Sequence, residues 1–240
     1  MPNTTNLARH AVAEGLGTAM LLATVVGSGI MAERLSNGNT AVALLANTVA
    51  TGAALVALIL TFGGISGAQF NPAVTICDLM QGGLSKRDAL AYIAAQIVGA
   101  FVGVATANFM FELPIFFASQ KVRTGSAQWF SEFVATFGLL AVIWGCVRLR
   151  SAIVVPFAVA AYITAAYWFT ASTSFANPAV TLARSMSDSF AGIRPADAPG
   201  FIVAQFLGAI AATILFRWLV PITTKDAEGV IIPHEETQNL

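Results

Sequence analysis

The sequence predicts an all-α membrane protein: six transmembrane helices plus two re-entrant half-helices, built as an inverted repeat of three spans each. Three observations predict it. Apolar runs of spanning length recur along the chain, two short segments open on Asn-Pro-Ala, and one pattern appears in both halves. Hydrophobic residues make up 57% of the 240 residues and charged residues 10%, against about 25% charged in soluble domains. Most of the surface must therefore face membrane lipid rather than water. The formal net charge is zero, which points to no nucleic acid or other highly charged partner.

Apolar runs bounded by charge and turn residues set the spans at 11–32, 41–62, 88–108, 128–147, 152–170 and 200–220. Each is near the roughly 20 residues that cross a bilayer. The chain thus reads as one transmembrane domain over 1–240, with repeat halves at 8–110 and 126–222 and a polar tail at 223–240. The amino terminus runs from Met1 to His10 with polar residues and then enters a long span with no clear small-residue cleavage site, so no signal peptide is expected. With that terminus inside, the cytoplasmic side holds Arg9, Lys86, Arg87, Arg148, Arg150, Arg217 and Lys225, and the outside holds Arg34, Lys121, Arg123, Arg184 and Arg194. This excess of inner positive charge puts both termini in the cytoplasm. A cell membrane is the expected location, a bacterial inner membrane in particular.

Two segments, near 71–80 and 177–187, are too short to span. Each begins Asn-Pro-Ala. Asparagine is a good helix N-cap, and proline fits the first turn, where its missing N–H is no loss. Each segment is therefore read as a half-helix starting at its asparagine.

The halves repeat in order. Glu132 answers to Glu14 at an offset of 118 (132 minus 14), Asn177 to Asn71 at 106 (177 minus 71), and Gln205 to Gln96 at 109 (205 minus 96). Three spans per unit force the second copy to enter from the opposite face, which makes the repeat inverted. The half-helices then dip in from opposite sides, and Asn71 and Asn177 arrive at one depth, the expected centre of a pore. Irregular backbone at that depth is tolerated only where it is buried or lines a watery cavity. The stretches 63–70 and 171–176 are such backbone, and a carbonyl line is expected from Gly67, Ala68, Gln69, Thr173 and Phe175. Positive helix-dipole ends at the centre repel cations and pass neutral hydrogen-bonding molecules.

Glu14 and Glu132 lie inside apolar spans, where charge is expensive. They are read as braces accepting N–H bonds from the re-entrant loops, with Gln96 and Gln205 assisting; a proton relay is the competing reading. Cys77 and Cys146 read as packing residues, since they make no metal-ligand or disulfide framework. Trp129, Trp144, Trp168 and Trp218 read as interface anchors.

With these residues in hand, the chain resembles the aquaporins of the major intrinsic protein family over residues 8–222. The run Gly64-Ile65-Ser66-Gly67-Ala68-Gln69-Phe70-Asn71-Pro72-Ala73-Val74-Thr75, the second Asn177-Pro178-Ala179 and the two glutamates carry the likeness. It implies a pore in each protomer of a homotetramer, no cofactor and no enzyme chemistry. Water and glycerol channels of this family usually have arginine after the second Asn-Pro-Ala; here Val180 stands there. Counting from the asparagines carries the other constriction positions to Thr51, Ala165 and Ser174, with a slip to Ala166 or Tyr167 left open in the fifth span. Four small or medium residues predict a wide, uncharged constriction. Arg184, one turn beyond Val180, either leans toward the mouth or pairs with Asp188 at i,i+4; the pair is the favoured reading. The sequence is also similar to the bacterial aquaporin branch found with arsenic resistance, which implies arsenite and methylated arsenicals as solutes besides water and polyols. A general water or glycerol facilitator and an ion-coupled transporter are the alternatives.

Overall fold

The computed structural model describes residues 4–220; the polar tail expected at 223–240 lies outside them. Eight α-helices appear among these residues. They are α1 (Thr4–Leu35), α2 (Thr40–Ser66), α3 (Pro72–Gln81), α4 (Lys86–Met110), α5 (Ser126–Leu149), α6 (Val155–Phe169), α7 (Pro178–Arg184) and α8 (Ala198–Leu219). Short 3₁₀ turns at Ala152–Val154 and Pro195–Asp197 lead into α6 and α8. Six of the helices are long and apolar enough to cross a membrane by length and composition.

Local chemistry sets the boundaries. Asn39 caps α2 by accepting from the N–H groups of Ala41 and Val42, and Ser85 caps α4 by accepting from that of Asp88. Gly82 (φ 84°) closes α3 in the left-handed conformation. The first dip is shorter than the sequence reading. Residues 63–66 remain helical, and the backbone turns irregular only at Gly67 (φ 85°), which caps α2 with its N–H on the Gly63 carbonyl. The second half-helix stops at Arg184, short of the expected 187. Beyond it the Ser185 and Met186 carbonyls accept from Ser119 and Phe117 N–H of the 111–125 loop, which pulls the chain off the helical path.

The packing follows the repeat. α1 crosses α4 and α5 crosses α8 so closely that a Cβ on Gly99 would strike the Gly15 carbonyl oxygen, and one on Gly208 the Phe133 carbonyl oxygen. Small residues at helix crossings are how membrane helices gain contact, because lipid gives them no hydrophobic drive to associate. Large apolar side chains on the perimeter, among them Val12, Leu16, Val49, Leu90, Val98, Phe130, Phe157 and Val203, are exposed, as a lipid-facing surface requires. Trp129, Trp168 and Trp218 share that surface. Trp144 does not: it is buried, and its indole Nε1 donates to Thr213 Oγ1 on α8 at 3.1 Å. An inward indole is then a packing strut with its N–H satisfied, and the interface-anchor reading is corrected for it. Cys77 is fully buried and Cys146 half-buried.

Candidate pore and its mouth

Asn71 and Asn177 meet back to back. Each side-chain oxygen caps its own half-helix: Asn71 Oδ1 accepts from Ala73 N–H at 2.9 Å, and Asn177 Oδ1 from Ala179 and Val180 N–H at 3.0 and 3.2 Å. Each amide nitrogen reaches across the pseudo-two-fold. Asn71 Nδ2 donates to the Ala176 carbonyl at 2.8 Å, and Asn177 Nδ2 to the Phe70 carbonyl at 2.7 Å. An amide carries two N–H groups, so one from each asparagine remains for the cavity that both line.

The loops before the half-helices share one backbone pattern. Gly67, Ala68 and Phe70 have positive φ, and so do Thr173, Ser174 and Ala176, 106 residues later (173 minus 67). Left-handed conformations are unfavourable for residues with a Cβ, so the surroundings must enforce them. Two buried carboxyls do so. Glu14 accepts from Gln69 and Phe70 N–H at 2.9 and 2.7 Å, from Ser66 Oγ at 2.6 Å and from Gln96 Nε2 at 2.8 Å. Glu132 accepts from Phe175 and Ala176 N–H, both at 2.9 Å, and from Gln205 Nε2 at 2.6 Å. Gln96 and Gln205 also tie these carboxyls to Thr75 and Thr181 of the half-helices. Neither glutamate lines the cavity.

With their N–H groups held by the two carboxyls, the loops leave a run of carbonyls unpaired. No donor among the described residues bonds the carbonyls of Gly67, Ala68, Gln69, Thr173, Ser174 or Phe175. Ala68, Gln69, Phe70, Ser174, Phe175 and Ala176 form one wall of the cavity; Gly67 and Thr173 are not part of it. The facing wall is apolar, from Leu21, Val25, Leu55, Ile59, Leu139, Ile143, Val159 and Ile163. Unpaired acceptors on one side and hydrocarbon on the other suit a solute that sheds part of its water and replaces it along one edge.

Thr51, Ser174 and Val180 line the cavity under the 111–125 loop, but Ala165 does not. Ala165 is exposed on the outer face of α6, and Tyr167 takes the inward place. At about 100° per residue, two residues turn a helix by roughly 200°, so the slip swaps outside for inside. Tyr167 Oη lies 3.3 Å from Thr51 Oγ1. The Arg184–Asp188 pair is also corrected. The Asp188 carboxylate accepts from Gln120 N–H at 2.9 Å and Ser119 Oγ at 3.4 Å, while Arg184 lies buried with its guanidinium carbon 3.4 Å from the centre of the Phe175 ring. Its Nε donates to the Ala191 carbonyl, and the side chain lines the cavity. The mouth is therefore neither uncharged nor bounded by small residues alone.

Arg123, from the same loop, stands close by. Its guanidinium carbon is 5.1 Å from the Phe175 ring centre, its Nε donates to the Gly192 carbonyl at 2.9 Å, and its Nη1 to the Ser172 carbonyl at 3.0 Å. Lys121 Nζ donates to the Phe190 carbonyl at 2.6 Å. Burial, with the charges of Arg123 and Arg184 adding to it, pushes the Lys121 ammonium down to about 8. Burial likewise pushes Arg123 down to about 10, with Glu132 opposing. Nothing in the sequence marked Arg123 as part of the site: it is one of two cations, with Lys121, at the end of a loop whose first half is largely apolar. Tyr167 needed a helix azimuth that periodicity in an almost uniformly apolar span does not supply.

Among the described residues no cluster of His, Cys, Asp or Glu is placed to hold a metal ion. The fold and site define a polytopic membrane protein with a cavity between two inverted half-helices. The family model described as "Major intrinsic protein" matches residues 1–152 and 147–239. The chain belongs to this family. It is 56% identical over 215 residues to the "Aquaglyceroporin AqpS" of Rhizobium meliloti (strain 1021), covering 90% of this chain and 91% of that protein. It is 29% identical over 248 residues to the "Probable aquaporin AqpM" of Archaeoglobus fulgidus, covering 90% and 98%. The X-ray structure of the aquaglyceroporin from Plasmodium falciparum superposes with a TM-score of 0.63 at 20% identity, over 88% of this chain and 95% of that one. That last likeness is one of fold.

Proposed function

We propose that this protein is a passive channel for small uncharged hydrogen-bonding solutes larger than water, polyols, arsenous acid and methylated arsenicals among them. The observation that carries the reading is the two-faced cavity, with unpaired carbonyls and two asparagine amides on one wall and hydrocarbon on the other. A polyol or a methylated oxyacid has the matching surface, hydroxyls on one edge and carbon on the other. At the mouth Thr51, Tyr167, Ser174 and Arg184 supply the polar side and Val180 an apolar one. Valine in place of arginine after the second Asn-Pro-Ala removes a bulky charge from the first turn of α7, and Arg184 sits one turn further out. The glutamates serve as braces. The relation to an aquaglyceroporin over nine-tenths of both chains supports the polyol part of the reading.

The same reading makes the protein a homotetramer in a bacterial inner membrane, with both termini cytoplasmic, the 111–125 loop outside, and one channel domain formed by two repeats. The family is one of channels, and no reaction is assigned. The test is uptake by liposomes holding the purified protein, comparing water, glycerol, arsenous acid and methylated arsenicals with no ion gradient. Saturable-free, gradient-independent entry of glycerol and the arsenicals is expected. Entry of water alone would overturn the solute class, and flux that needs a proton or sodium gradient would overturn the passive mechanism.

A further inference from the structure

We propose that the mouth under the 111–125 loop is a binding site for a small monovalent oxyanion of the carboxylate type, and that the bound anion blocks the passage of neutral solutes. Arg184 lines the cavity, and the Arg123 guanidinium lies over the same Phe175 ring, 5.1 Å from its centre against 3.4 Å for Arg184, with the Lys121 ammonium near enough to feel both charges. No carboxylate answers Arg184. Asp188 spends its bonds on Gln120 and Ser119, Asp197 on Arg123 N–H and the Arg194 guanidinium, and Glu132 on Phe175, Ala176 and Gln205. Arg184 uses only Nε, on the Ala191 carbonyl; its two Nη groups donate to nothing among the described residues. Ser174 lines the same cavity, and its hydroxyl is buried without a partner. Unspent guanidinium N–H groups in a cavity lining are the donors that a carboxylate's two oxygens take up.

The repeat supplies its own control. Arg184 stands seven residues past Asn177 (184 minus 177), and its counterpart seven past Asn71 (78 minus 71) is Asp78. The counterpart of Phe175, under the arginine, is Gln69, whose Nε2 donates to Asp78 Oδ2 at 2.7 Å. One half thus closes its half-helix with a carboxylate held by an amide, the other with a guanidinium laid on a ring. The scaffold accepts either charge at this place, so packing does not demand arginine. Each charge lies roughly 10 Å along its half-helix from the asparagine pair, so the two half-helices end on opposite charges, of which only Arg184 lines the cavity. An anion drawn to Arg184 meets re-entrant-loop carbonyls and apolar side chains deeper in the cavity, and it stays at the mouth.

Formate is the probe, in two assays. In the first, isotope-labelled formate is titrated by NMR against the purified full chain in detergent at neutral pH. Saturable line broadening is expected, with half-saturation moved up about tenfold by Arg184→Gln, the loss of one charge-assisted bond, partly restored by Arg184→Lys, and moved less by Ser174→Ala. In the second, glycerol flux into liposomes is followed with external sodium formate or sodium gluconate at equal ionic strength. Formate lowers the rate saturably and gluconate, with its long hydroxylated chain, does not; inhibition is scaled to each variant's own uninhibited rate. This assay rests on the proposed channel activity, whereas the binding assay does not. No broadening with the unaltered protein overturns the site. Equal broadening in Arg184→Gln and Ser174→Ala overturns the assignment to these residues. Binding without inhibition overturns the block, and absent glycerol flux with intact binding overturns the channel reading alone.

Discussion

Removing Glu14 tests the claim that a buried carboxyl holds the first re-entrant loop in its left-handed conformation. In Glu14→Ala the N–H groups of Gln69 and Phe70 lose their acceptor, as do the Ser66 hydroxyl and the Gln96 amide. Stranding a buried backbone N–H costs about 1–3 kcal/mol, so the two together cost about 4 kcal/mol before the lost packing is counted. At about 2–4 °C per kcal/mol for a chain of this size, the melting temperature falls by roughly 8–16 °C. The repeat sharpens the expectation. Glu132→Ala strands the N–H groups of Phe175 and Ala176, but no serine hydroxyl donates to Glu132 as Ser66 does to Glu14. Glu132→Ala should therefore cost about 1 kcal/mol less, the worth of one hydrogen bond. The assay is thermal unfolding of the detergent-solubilised protein, read by size-exclusion profile after heating, beside glycerol flux in liposomes. If Glu14→Ala melts within about 2 °C of the unaltered protein and keeps its glycerol flux, the carboxyl does not hold the loop and the bracing argument fails.

Four further outcomes follow from the same geometry. Val180→Arg places a second long cation at the mouth beside Arg184, so glycerol uptake drops about tenfold or more while water permeability persists; unchanged glycerol uptake would mean the mouth lies elsewhere. Tyr167→Ala opens the mouth on the Thr51 side and raises uptake of solutes larger than glycerol, whereas Ala165→Tyr, on the exposed face, leaves uptake as it was. Gly99→Val drives a side chain into the Gly15 carbonyl at the α1–α4 crossing, and the measure is the yield of monodisperse protein, which should fall sharply, overpacking costing typically about 1–3 kcal/mol and more where, as here, backbone must shift. Lys121 sets a pH dependence. Its folded value of about 8 lies below its ordinary 10.5, so between these values the unfolded chain binds the extra proton and stability rises with pH. Melting temperature should climb as pH rises through that window, and Lys121→Met should flatten the climb.

The spans, the half-helix starts and the inverted repeat were legible in the sequence because each rests on local chemistry. A span needs length and hydrocarbon, Asn-Pro sets a helix start through capping and a fixed φ, and repeated motifs in constant order need no coordinates. The glutamate–glutamine braces were legible for a related reason: polar groups deep in an apolar span must find partners, and a re-entrant backbone is the nearest supply of donors. What the sequence left open was direction. In α6 nearly every residue is apolar, so nothing told Ala165 from Tyr167, and only the packing of α6 on α2 turned the tyrosine to Thr51. Arg184 and Asp188 have the spacing of an ion pair, yet α7 ends between them and the 111–125 loop claims the aspartate, leaving the arginine on Phe175. Trp144 faces α8 because a hydroxyl there satisfies its N–H. Sequence determines which segments enter the membrane and where they start; which face of a helix meets which neighbour is a balance over many contacts distant in the chain, and that balance is struck only in the tertiary structure.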